Sequence, residues 1–173
     1  MDILEIIILG IIQGITEFLP ISSSGHLVIA QNILGIKSPG NTLEVLFHFG
    51  TLMSVVYVFF KDIKQIFLTM NEKNNQLLIF YLIIATLPAI FAGFFLKDYF
   101  LKIFDNVHLV GIALCLTGIL LILSKRFKNN QKAISFSSSI LVGVMQAIAI
   151  IPGISRSGST ISTCMYLGIP PKE

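Results

Sequence analysis

Two polar stretches interrupt an otherwise apolar chain, and their residue types set the chemical question. The first runs from Gln13 to His26 (QGITEFLPISSSGH) and carries an amide, a carboxylate, three consecutive serines and an imidazole. The second runs from Pro152 to Thr160 (PGISRSGST) and places an arginine deep in an apolar region. A charged group is costly inside a bilayer, so each is by default a functional-site hypothesis. Glu17 follows Gln13 by four residues, which puts both on one face of a helix. They either hydrogen-bond between helices, act as a general acid/base, or offer oxygen ligands to a hard cation, Mg2+ or Ca2+; Mg2+ typically travels with substrate phosphates.

Ser22, Ser23 and Ser24 either satisfy the backbone at a helix break or include a nucleophile, which needs a base beside it. His26, three residues after Ser23, is within reach across a tight turn and is the candidate acid/base. His48 and His108 lack such neighbours and read as structural. Arg156 stands between Ser155 and Ser157, with Gly158 and Thr160 following. A guanidinium matches phosphate oxygens two at a time, and hydroxyls with the N–H groups of a glycine-containing turn form an anion nest. Arg156 is alternatively the counter-ion of Glu17, but a buried pair does not require so many hydroxyls. One stretch supplies acid and imidazole, the other cation and hydroxyls. That division suits phosphoryl transfer, where catalysis is mostly positioning and charge stabilisation.

The elements that position these residues are membrane helices. Of 173 residues, 54% are hydrophobic and 12% charged, against roughly 25% charged in soluble domains. The apolar residues fall in long blocks, the signature of transmembrane helices. The fold class is therefore an all-α integral membrane protein, one membrane domain over 1–173. Net charge is +3, but the lysines sit between apolar blocks, so loop topology explains them and nucleic acid does not. Cys115 and Cys164 read as small core residues rather than a disulfide or metal site. The acidic N-terminus is a poor signal peptide.

Residues 3–36 read as a re-entrant pair: an apolar half-helix, the Pro20–Gly25 break, and a second apolar piece from Leu27 to Ile36. Such a break is tolerated at membrane depth only where protein buries it or it lines a wet cavity. Residues 37–42 form a turn. Full spans follow at 43–60, 77–96 and 107–123, the second kinked by Pro88. Polar loops at 71–76 and 97–105 and a basic segment at 125–132 separate them. Positive charges favour the cytoplasmic side, which puts 61–76 and 125–133 inside and 97–106 outside. The first motif then opens to the extracytoplasmic face of a bacterial cell membrane.

Sliding the sequence by 133 residues aligns GIIQGITEFLPISSSG (10–25) with GVMQAIAIIPGISRSG (143–158). Gly10, Gln13, Ser22, Ser24 and Gly25 fall on Gly143, Gln146, Ser155, Ser157 and Gly158; Leu34-Gly35-Ile36 falls on Leu167-Gly168-Ile169. Residues 1–132 read as a first repeat and 133–173 as the start of a second, whose re-entrant pair enters from the opposite side. Inverted repeats with broken helices put their site near the midplane, at the repeat interface. The second copy ends just after its second half-helix. By symmetry roughly 90 residues, about three spans, are missing, so the chain reads as a C-terminally truncated form.

At these motifs the sequence resembles the undecaprenyl-diphosphate phosphatase family, also called the bacitracin-resistance protein family. Gln13, Glu17, Ser22, Ser23, Ser24, Gly25 and His26 match its first motif; Pro152, Gly153, Ser155, Arg156, Ser157 and Thr160 match its second. The resemblance implies hydrolysis of a C55 polyprenyl diphosphate to the monophosphate and phosphate, which recycles the carrier for peptidoglycan synthesis and gives bacitracin resistance. It implies Ser23 as nucleophile, His26 as acid/base and Glu17, with Gln13, on a divalent cation or water. Arg156, aided by Ser22, Ser24, Gly25, Ser155, Ser157, Gly158 and Thr160, clamps the diphosphate. Gln13 stands where some members have Glu, which leaves Glu17 as the essential carboxylate. Partners are the lipid substrate and membrane lipids, and a homo-oligomer is compatible with the sequence. The competing readings are a secondary transporter or lipid flippase with a midplane anion site, and an inactive truncated remnant.

Overall fold

The computed structural model describes residues 2–36, 42–124 and 132–170, with the side chain of Asn74 excepted. The described residues form helices only: α1 (Ile3–Thr16), α2 (Ser23–Ile33), α3 (Thr42–Val58), α4 (Phe60–Leu68), α5 (Lys73–Phe95), α6 (Lys97–Phe104), α7 (Val107–Ser124), α8 (Phe136–Ile148) and α9 (Arg156–Leu167). The basic segment at 125–131 and the turn at 37–41 lie outside the described residues.

Two helices are each long and apolar enough to cross a membrane. These are α5, over Asn75–Phe95, and α7, each with a mean hydropathy of 2.4. At about 1.5 Å per residue both approach the thickness of a hydrocarbon core. The segment expected to span at 43–60 is largely helix α3, which bends by 68° into α4 just beyond it, and Lys61 and Lys64 belong to α4 rather than to a loop. The loop expected at 97–105 is mostly helix α6. Three of its eight residues are charged, but Tyr99, Phe100, Ile103 and Phe104 recur at helical spacing, so an amphipathic helix forms where charge alone suggested a loop. Helix α5 runs through Pro88 without ending there.

Both expected breaks are present, and they are built alike. Helix α1 ends at Thr16 and α2 begins at Ser23, four residues earlier than the apolar pattern suggested, because Ser22 caps it. Ser22 Oγ accepts the Gly25 N–H at 3.4 Å; 133 residues on, Ser155 Oγ accepts the Gly158 N–H at 3.0 Å. Ser22 and Ser24 hydroxyls lie 3.4 Å apart, Ser155 and Ser157 hydroxyls 3.3 Å. At the far ends, Gly35 and Gly168 take φ of +69° and +79°, and Ile36 and Ile169 each donate 2.9 Å bonds to Gln31 and Cys164 carbonyls. A left-handed residue closing a helix in this way satisfies its last carbonyls.

The two breaks interlock. A Cβ on Gly25 would lie 2.7 Å from Gly153 Cα, and one on Gly158 would lie 2.9 Å from the Pro20 carbonyl oxygen. The Gly153 N–H donates to Ser22 Oγ at 3.2 Å. Helix α7 packs on both α2 and α9, and α8 packs along α5. Thr117 of α7 stitches the second break, donating to the Gly153 carbonyl at 2.8 Å and accepting from the Ser155 N–H at 3.1 Å.

The burial pattern is that of a protein whose solvent is lipid. Buried apolar residues are few, among them Leu9, Leu27 and Val110, whereas Gln13, Thr16, Gln31, Glu44, Ser155, Ser159 and Ser162 are all buried. Large apolar side chains face outward; Tyr57 is 85% and Phe94 80% exposed. Hydrocarbon gives apolar groups no drive inward, so packing selects small and polar residues for the interior. Cys115, expected in the core, is exposed on α7, and both cysteines are free.

Candidate active site

The interlocked breaks enclose a cavity of about 210 Å³. The first break lines it with Glu17, Ser22, Ser23 and Ser24; the second contributes Ser155, Arg156, Ser157 and Thr160. Glu17 and Arg156, brought from positions far apart in the chain, therefore face one space. Among the described residues no ion pair joins them; Glu17 Oε2 lies instead 3.3 Å from His48 Nε2, a contact that is ionic only when the imidazole is protonated. Arg156 is exposed, so its guanidinium is open to a ligand rather than consumed as a counter-ion.

The first residues of α2 and of α9 both border this cavity. Helix N-termini carry unsatisfied N–H groups and a partial positive charge, which favours anions. Arg156 adds a full positive charge at the start of α9. Anionic oxygen is the ligand chemistry these groups serve.

Opposite them lies a proton-handling cluster. Ser23 Oγ donates to Glu17 Oε2 at 2.5 Å. Gln13 Nε2 donates to the same oxygen at 3.0 Å and lies 3.4 Å from Thr51 Oγ1. His48 Nε2 lies 3.5 Å from Ser23 Oγ. Its other nitrogen, Nδ1, donates to the Glu44 carbonyl at 2.6 Å. That bond holds a proton on Nδ1, so Nε2, facing both groups, accepts from Ser23 when the ring is neutral and donates to Glu17 when it is protonated.

The imidazole beside Ser23 is thus not the expected one. His26 Nδ1 donates to the Ser22 carbonyl at 2.8 Å, holding the turn that presents the serines, and His26 is not among the residues lining the cavity. His48, read as structural, takes the place beside the hydroxyl. The signal for it was in the sequence: Glu44, His48 and Thr51 share one face of an apolar helix at i, i+4 and i+7. His48 lies 25 residues from Ser23 along the chain, where proximity in sequence gives no hint of the contact.

Other expected residues sort by position. Ser22 and Ser155 border the cavity while capping their helices. Gly25 and Gly158 sit in the seam between the breaks, where each lets backbone approach. Thr160 lines the cavity but donates its proton to its own helix, at the Arg156 and Ser157 carbonyls. Gln13 is buried behind Glu17, its amide nitrogen rather than its oxygen toward the carboxylate, and its Oε1 has no partner. Among the described residues no group of three or more His, Cys, Asp or Glu side chains is placed to hold a metal.

The sequence was compared with known proteins. The family model described as Bacitracin resistance protein BacA matches residues 6–173. The chain belongs to this family. Among curated relatives of the BacA family, the undecaprenyl-diphosphatase of Halothermothrix orenii is 44% identical over 171 residues, covering 97% of this chain and 65% of that protein. The undecaprenyl-diphosphatase of Syntrophotalea carbinolica is 43% identical over 178 residues, covering 98% and 68%; that of Christiangramia forsetii is 45% identical over 177 residues, covering 97% and 66%. The chain spans about two thirds of the length of the BacA relatives it matches.

Proposed function

We propose that this protein hydrolyses undecaprenyl diphosphate to undecaprenyl phosphate and phosphate, the activity its relatives are named for. The observation that carries the proposal is the shared cavity, with Glu17, Ser23 and His48 on one wall and Arg156 with two helix N-termini on the other. Arg156 and the free N–H groups hold the diphosphate oxygens. Ser23 Oγ attacks the terminal phosphorus, its proton passing to Glu17, with His48 sharing that charge. The bond from this phosphorus to the bridging oxygen breaks, and the lipid monophosphate leaves with both electrons of that bond. Water then attacks the same phosphorus, the bond from phosphorus to Ser23 Oγ breaks with its electrons on Oγ, Glu17 returns its proton to that oxygen, and a proton of the water leaves through the same cluster as phosphate is released. The hydrogen bond from Ser23 to Glu17, which gives the hydroxyl a proton acceptor, supports this route over direct attack by water. Serine attack predicts a phosphoserine trapped at Ser23 by acid quench; water attack predicts none.

Among the described residues the chain alone offers a divalent cation, Mg2+ or Ca2+, too few ligands to hold it, so such a cation would arrive with the substrate. Glu17 offers one anionic oxygen, and Gln13 turns its nitrogen toward that carboxylate, so the diphosphate must provide further ligands. Bound there, the cation would neutralise diphosphate charge as it develops. The two broken pairs, α1–α2 and α8–α9, are read as inverted repeats meeting at mid-membrane, with the site open to the extracytoplasmic side of the cell membrane.

The test is phosphate release from a polyprenyl diphosphate by purified protein. Glu17→Gln and Arg156→Ala are each expected to lower kcat/KM by about 10²-fold or more. Wild-type rates in both variants would remove the site.

A further inference from the structure

The 133-residue match sets Gln146 against Gln13, but the residues four further on differ. Glu17 follows Gln13, whereas Ile150 follows Gln146. The Gln13 amide is committed to Glu17 and Thr51. Gln146 has no carboxylate one turn on. It sits in the last turn of α8, half-buried, and lines the cavity beside Ser155, Arg156 and Ser157. Among the described residues its amide has no hydrogen-bond partner. An amide in an apolar helix is expected to find a partner, and here the space it faces is the anion cavity.

We propose that Gln146 is a substrate-contact residue, its amide N–H donating to a non-bridging oxygen of the diphosphate that Arg156 holds. The inference rests on the phosphatase reading above. The duplicated glutamine has thereby divided its work: one copy holds the carboxylate in place, the other reaches the ligand. A neutral donor adds direction without charge. It strengthens ground state and transition state alike, so its loss appears in KM rather than in kcat.

Two measurements test this on the protein in detergent: the kinetics of phosphate release from a polyprenyl diphosphate, and calorimetric binding of inorganic pyrophosphate. Gln146→Leu should raise KM and the pyrophosphate Kd about 10-fold, with kcat changed less than about 3-fold. Gln146→Glu keeps the shape but sets a carboxylate against phosphate and should weaken both about 100-fold. Wild-type KM and Kd in Gln146→Leu would overturn the contact. Should the leucine variant fail to fold, wild-type affinity in Gln146→Glu overturns it equally. A wild-type protein that binds pyrophosphate but releases no phosphate from the lipid sinks the phosphatase reading, and the Kd comparison still decides the contact. A wild-type protein that does not bind pyrophosphate overturns the contact itself.

Discussion

Glu17 is the residue on which the local chemistry turns, because one of its oxygens gathers Ser23, Gln13 and His48 together. Removing any of the three changes what that carboxylate can do next. His48→Ala is expected to lower kcat about 10- to 100-fold while leaving thermal stability near wild type, since His48 is half-buried and bonds only at its two nitrogens. His26→Ala should also lower turnover, but for another reason. It frees the Ser22 carbonyl from its Nδ1–H bond, loosens the serine turn, and should lower the unfolding midpoint in parallel. Activity and thermal melts on the two variants separate the roles. A His48→Ala enzyme with full turnover would leave Ser23 with Glu17 alone.

Broken helices depend on small residues where they cross. Gly153 has φ of +98°, and a Cβ there would lie 2.5 Å from the Val110 carbonyl oxygen and 2.7 Å from Ala113 Cβ. Gly153→Ala combines overpacking with a backbone conformation that L residues rarely adopt, at a cost of about 2–4 kcal/mol. Gly14, inside α1, has nothing within 4 Å of a Cβ, so Gly14→Ala should be neutral or stabilise by up to about 1 kcal/mol. Denaturation of both variants in detergent checks the pair; equal stability would mean that the seam yields without cost. At this scale much was readable beforehand. Pro20, the serine run and Gly25 marked the first break, and the 133-residue match marked the second. Missed were α6, hidden by its charges, and the 68° turn from α3 into α4. Continuous apolar sequence cannot announce a bend that packing imposes.

Across the whole molecule, orientation follows from the charge of the connecting segments. Asn71, between α4 and α5, should be cytoplasmic, and Asp105, between α6 and α7, extracytoplasmic. Both residues are exposed. In a background with Cys115→Ser and Cys164→Ser, Asn71→Cys should resist a membrane-impermeant thiol reagent added to intact cells, and Asp105→Cys should react. The reverse pattern would place the site on the cytoplasmic side and sink the topology proposed above. Membership of the BacA family, matched over residues 6–173, agrees with the resemblance carried by the two motifs.

By itself the sequence determined the apolar helical class and the two breaks, and it singled out the acid, the hydroxyls and the cation as candidates, because apolar block length, helix-breaking residues and misplaced charges are local properties. Only the tertiary structure decided which groups meet. Glu17 and Arg156 came together on opposite walls of one cavity, but the imidazole at Ser23 proved to be His48, which lies 25 residues away in the chain. Helix α3 packs on α1, and that packing brings His48 to the serine, while a hydrogen bond to the Ser22 carbonyl holds the sequence neighbour His26. Distance along the chain carries no information about contact across helices, and the candidate site is made of such contacts.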